Sequence, residues 1–64
     1  MKIVAEFSEE GVKLEQREDK HKRFRLTYGE AVHDDLNYAS ATTELGAALM
    51  HAWACRGLLD NTGD

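Results

Sequence analysis

Apolar and polar residues alternate through most of the first 28 positions, and from about Thr42 the apolar residues recur every three to four positions instead. These two periods belong to different backbones: two for a strand with one buried face, 3.6 for a helix with one buried stripe. The alternating half divides into Ile3, Ala5 and Phe7, then Val12, Leu14 and Gln16, then Phe24, Leu26 and Tyr28. Three strands follow. Ser8-Glu9-Glu10-Gly11 joins the first two, and the charged stretch around Asp19, Lys20 and His21 joins the second to the third.

Register follows from the same pattern, because a slip of one residue turns an apolar row toward water. The second hairpin should set Val12 opposite Tyr28, Leu14 opposite Leu26 and Gln16 opposite Phe24. The first should set Phe7 against Val12, Ala5 against Leu14 and Ile3 against Gln16. On the outer face this leaves three rows: Glu6, Lys13 and Thr27; Val4, Glu15 and Arg25; Lys2, Arg17 and Arg23.

The helical period runs from about Thr42 to Leu59, with Leu45, Ala48, Leu49, Ala52, Cys55 and Leu59 on one face and Trp53 at its margin. Ser40 or Thr42 suits the N-cap, Glu44 the first turn and Arg56 the last, and Asp60-Asn61-Thr62-Gly63 is expected to end the helix. A helix about 27 Å long covers a three-stranded sheet. Residues 29 to 41 fit neither period. So long a loop is unusual in so small a domain, and Val32, Leu36 and Tyr38 should tuck against the core, within a helical turn or a fourth strand. The expected fold is α+β: a three-stranded antiparallel meander under one long C-terminal helix, residues 1–64 forming a single domain.

One core in 64 residues rarely supplies more than about 3–5 kcal/mol without a staple. Cys55 is the only cysteine, so no disulfide forms within the chain, and no set of Cys and His has structural-zinc spacing. Oligomerisation is the remaining route. The helix supports it, for the side away from the sheet is not polar: Ala47, Met50, Ala54 and Leu58 lie there, flanked by Gly46, Gly57 and Thr43. Small residues spaced three and four let two helices approach closely, and methionine adapts to a partner. The expected partner-binding set is Ala47, Met50, Trp53, Ala54 and Leu58, for a homodimer or a protein target.

Charge is uneven: residues 13–25 carry six Lys/Arg against three acids in a chain of net charge −4. Lys2, Arg17, Lys20, Lys22, Arg23 and Arg25 define a basic end that offers an alternative, nucleic-acid-binding reading through phosphate contacts. Against it, the outer sheet face bears no aromatic residue for stacking, and the acids elsewhere repel a duplex. With 42% hydrophobic residues the chain is not disordered. Its longest apolar run, near Ala47 to Cys55, is too short for a bilayer, and Glu6 interrupts any signal-peptide core, so a cytoplasmic location without membrane contact is the expectation.

Chemistry-bearing motifs are sparse. His33-Asp34-Asp35 invites a metal or acid-base reading, but adjacent residues rarely converge on one centre, and Asp34 or Asp35 suits a turn or a helix cap better. His51 and Cys55 share a helical face at i and i+4, two ligands where a site needs more; a buried cysteine beside a half-exposed histidine is the simpler expectation. No cofactor motif is present and no enzyme is expected.

The strand-strand-strand-helix order with Thr43-Glu44 opening the helix resembles the small sheet-and-helix domain of HicB-type antitoxins, without the glycine and proline pattern usual before that helix. In size and acidity the chain is also similar to small phage-encoded inhibitors of host proteins, anti-CRISPR proteins among them. The resemblance implies a regulatory binding module and assigns no functional residue.

Overall fold

The alternating half folds as its period requires, and the segment of neither period adds a fourth strand. In a computed structural model the described residues are 1–59. Strands β1 (Lys2–Phe7), β2 (Val12–Gln16), β3 (Phe24–Tyr28) and β4 (Ala31–Leu36) form an antiparallel meander in the order β1-β2-β3-β4, followed by helix α1 (Tyr38–Cys55). The expected three strands are thus four. β4 escapes the alternation pattern because it is an exposed edge strand with His33, Asp34 and Asp35 consecutive in its middle.

The β2–β3 register is as expected throughout, with Val12, Leu14 and Gln16 facing Tyr28, Leu26 and Phe24. A tight hairpin follows, in which Gly29 at φ +60 takes the first of two loop positions, where positive φ is needed. The β1–β2 register holds for Phe7–Val12 and Ala5–Leu14 and then slips at a bulge: Ile3 faces Glu15 rather than Gln16, and Lys2 faces Gln16. The doublet Ile3-Val4 is its signature, since two neighbouring apolar residues cannot both obey a period of two. Lys2 therefore leaves the row in which it was expected beside Arg17 and Arg23, and Ile3 leaves the expected inner row. A second bulge, in β4, sets Asp34 and Asp35 between the pairs Phe24–Leu36 and Leu26–His33, with Asp35 at φ +58.

Helix α1 begins earlier than the apolar period. Asn37, not Ser40 or Thr42, is the N-cap: its Oδ1 accepts the backbone N–H of Ser40 at 2.8 Å. Thr42 instead donates its hydroxyl to the Tyr38 carbonyl at 2.8 Å. The early start places Glu44 past the first turn. The helix also stops early, at Cys55 rather than Leu59. Arg56 is the C-cap, and Gly57 at φ +74 lets Leu58 N–H reach the Trp53 carbonyl (2.9 Å) and Gly57 N–H that of Ala54 (3.0 Å), a Schellman ending. Asp60, Asn61, Thr62 and Gly63, expected to end the helix, lie outside the described residues.

The core is small: Val12, Leu14, Leu26, Ala41, Ala48 and Ala52 are buried, with Phe7, Phe24, Tyr28, Leu36, Leu45 and Leu49 packed partly around them. Of the three residues expected to tuck inward from 29 to 41, only Leu36 does; Val32 and Tyr38 are 57% and 78% exposed. Val32 pairs with Thr27 on the outer face, and Tyr38 sits in the first helical turn with little above it. Cys55 and Leu59, expected on the buried helix face, are exposed. The helix lies across β3 with β2 and β4 to either side, and no Cα of it comes within 8 Å of one in β1.

Candidate binding surface

On the side of α1 away from the sheet, Ala47 and Ala54 are exposed and Met50 is 52% exposed; Leu58, just past the helix, is 59% exposed. A Cβ placed on Gly46 would meet nothing within 4 Å. No described segment folds over this stripe. Trp53 differs from the rest of the expected set. Its indole is half-buried, and Nε1 donates to Glu10 Oε2 at 2.8 Å, while Arg56 Nη1 reaches the same oxygen at 3.1 Å and Arg56 Nη2 lies 3.4 Å from Glu9 Oε1. The β1–β2 turn is thereby fastened to the end of the helix.

The basic end is mixed rather than uniformly cationic, because β4 brings acids to it. Arg25 Nη2 donates to Asp34 Oδ2 at 2.9 Å, with Arg25 Nε buried and without a hydrogen-bond partner. Arg17 lies 3.7 Å from Asp35 and 4.0 Å from Asp19, and Arg23 lies 4.0 Å from Asp35. Hydrogen bonding from Arg25, followed by that from the Asp35 backbone N–H, holds the Asp34 carboxyl below its ordinary range. Asp19 is lowered chiefly by the backbone N–H of Lys22, helped by that of His21, as Asp19 Oδ1 closes the β2–β3 turn. His33-Asp34-Asp35 thus serves ion pairing and a bulge rather than a helix cap. Lys2, Lys20 and Lys22 enter no ion pair among the described residues.

On the β4 side of the helix, Tyr28 Oη and His51 Nδ1 are 2.9 Å apart, with their rings edge to face. Cys55 Sγ is 3.8 Å from His51 Nε2, and the thiol is exposed, not buried as its spacing suggested. Among the described residues no three His, Cys, Asp or Glu side chains come together in a way that would hold a metal ion. None of the described helices is long and apolar enough to cross a membrane.

A further feature was not among the sequence expectations. Because α1 stops short of β1, an open trough of about 520 Å³ runs between them, lined by Lys2, Ile3, Val4, Leu14, Gln16, Phe24, Tyr38, Ala41, Thr42 and Leu45. At Gln16, Phe24 and Tyr38 it meets a second depression of about 530 Å³ walled by Lys20, His21, Lys22, Arg23 and Asn37. The Ile3-Val4 doublet was its one sequence signal; the missing helix above it had none.

The chain matches no known protein family, no curated protein and no solved structure.

Proposed function

We propose that this chain is a small non-enzymatic protein-binding module that pairs with a second copy of itself through the rear of α1, and that such a module regulates or inhibits a protein target. The observation that carries the reading is the distribution of large apolar side chains. Among the described residues only Val12, Leu14 and Leu26 of these are buried, whereas Met1, Ile3, Val4, Val32, Tyr38, Met50, Leu58 and Leu59 are 40–78% exposed. A domain of this size gains little from its own core, and a partner supplies the missing burial.

A two-fold contact brings a surface against itself, so it suits a face without charge. The rear stripe of Ala39, Thr43, Gly46, Ala47, Met50 and Ala54 carries none. With the axis at Met50 and the helices antiparallel, Ala54 of one copy lies against Gly46 of the other and Ala47 against the edge of Trp53, all spacings that permit close approach. Sedimentation equilibrium tests this: wild type should sediment as a dimer and Met50→Asp as a folded monomer. Equal masses for the two would refute self-association here; a monomeric wild type would leave the same stripe for a different protein.

The nucleic-acid alternative has less behind it, because of its six cations Arg17, Arg23 and Arg25 face carboxylates, which leaves Lys2, Lys20 and Lys22 without an ion pair among the described residues. Binding to a labelled duplex at two salt concentrations separates the readings, since phosphate contacts give a steep salt slope.

A further inference from the structure

The trough between β1 and α1 has two unlike halves, and together they describe an occupant. Along Ile3 and Val4 its wall is apolar, with Val4, Leu14, Phe24 and Leu45 as the larger side chains, while Lys2, paired with Gln16, and Tyr38, 78% exposed, stand at the junction. Beyond Tyr38 the wall turns cationic at Lys20, Lys22 and Arg23, and no acidic residue lines either half. Helix α1 starts at this same place with no acid in its first turn, so the positive end of its dipole adds to the lysines. Arg23 is shared with Asp35 at 4.0 Å, so the positive character of this half rests on Lys20 and Lys22, in a chain of net charge −4.

We infer that the trough receives a linear segment of a partner protein in which apolar residues are followed by acidic ones. This deepens the protein-binding reading and rests on it, while using a surface separate from the helix rear. A small amphiphile fits less well. Small-molecule sites bury about 70–90% of their ligand, whereas this trough is open along β1, where Ile3 and Val4 are 56% and 47% exposed. A peptide needs only its anchoring side chains covered, and an exposed tyrosine beside an apolar slot is a frequent anchor point. The cationic half then orients the segment and speeds its capture.

The test is selection of a random twelve-residue peptide library on the full chain, followed by fluorescence polarisation of enriched peptides at low and high salt. Peptides with apolar residues followed by Asp or Glu should dominate. Their affinity should fall at least about tenfold in Tyr38→Ala and in Thr42→Glu, and about fivefold with a shallower salt dependence in Lys20→Glu/Lys22→Glu. Circular dichroism confirms that each variant is folded. Val32→Ala, on the outer sheet face and outside both the trough and the helix rear, should bind as wild type does. No enrichment, or enrichment of peptides without acidic residues, would overturn the assignment. Loss of binding in Met50→Asp alone would move the peptide site to the helix rear, overturning the trough while keeping the module reading. A drop in sedimenting mass in Thr42→Glu would mean that a second copy fills the trough, which also overturns the peptide assignment.

Discussion

At its C-terminal end α1 is fastened to the β1–β2 turn; at its N-terminal end the same helix stands clear of the same strand. The fastened end has Glu10, whose side chain is only 12% exposed and whose Oε2 serves both Trp53 and Arg56. The clear end has a bulge at Ile3-Val4 and, across an open trough from it, Tyr38, Ala41 and Thr42 of the helix. One shared carboxylate closes a gap that no side chain closes at the other end. A helix can therefore be well anchored on a sheet and still leave an edge strand uncovered, provided its polar ties are gathered at one end.

The largest effect tests whether the two ends share a core at all. Leu26 is 1% exposed in the middle of β3, and Leu26→Ala should cost about 2–5 kcal/mol. Against total stability of about 3–5 kcal/mol for such a domain, this should unfold both ends in a single thermal transition. A cooperative melt within a few degrees of wild type would show that the small alanine-rich interface, not Leu26, carries most of the stability.

Next is the fastening itself. Glu10→Ala leaves the Trp53 N–H and the Arg56 guanidinium without their shared acceptor and should cost about 1–3 kcal/mol. Trp53 fluorescence should shift to the red as the indole gains water, while the helix content stays. An unchanged emission maximum would mean that the two ends differ for some other reason. At the open end, Asn37→Ala removes the cap on Ser40 N–H and should cost about 1 kcal/mol with frayed helix signal in the far ultraviolet. Asn37→Asp should restore it.

The smallest effect concerns the acids that β4 delivers. Folding holds Asp34 below its ordinary pKa of 3.8, so its pairing with Arg25 contributes fully above the unfolded value and fades as pH falls through the lowered folded one. Asp34→Asn should be slightly less stable than wild type at pH 7, and the difference should shrink below about pH 4. Denaturation midpoints across pH 2–7 check the sign; a difference that grows on acidification would contradict it. Both side chains are in part exposed, so salt should diminish the effect.

The β2–β3 register was legible in full because Val12, Leu14, Leu26 and Tyr28 alternate without interruption. The helix was legible through Leu45, Ala48, Leu49 and Ala52, yet both its ends were missed. Apolar spacing marks the buried stripe, whereas the ends are set by Asn37 and Gly57 through backbone hydrogen bonds. The rear stripe was likewise readable, since Met50 and its small neighbours lie on one side of any helix drawn over them. The trough was not readable. Its floor comes from β1 and β2, its wall from α1 and its cationic end from the β2–β3 turn, elements up to 43 residues apart in the chain.

Sequence alone determined that β1, β2 and β3 extend and that the middle of α1 coils, because those choices follow from side-chain period along one segment; β4, which has neither period, was not determined this way. It also determined that one helix would be apolar on two sides. Tertiary structure alone decided that the aspartates of β4 would pair with Arg25 of β3 and with Arg17 and Arg23 of the β2–β3 turn, that Glu10 would hold Trp53, and that β1 would be left uncovered. These are outcomes of where a rigid helix comes to rest on a twisted sheet, a position fixed by contacts between distant segments and by two bulges that shift the partners opposite them.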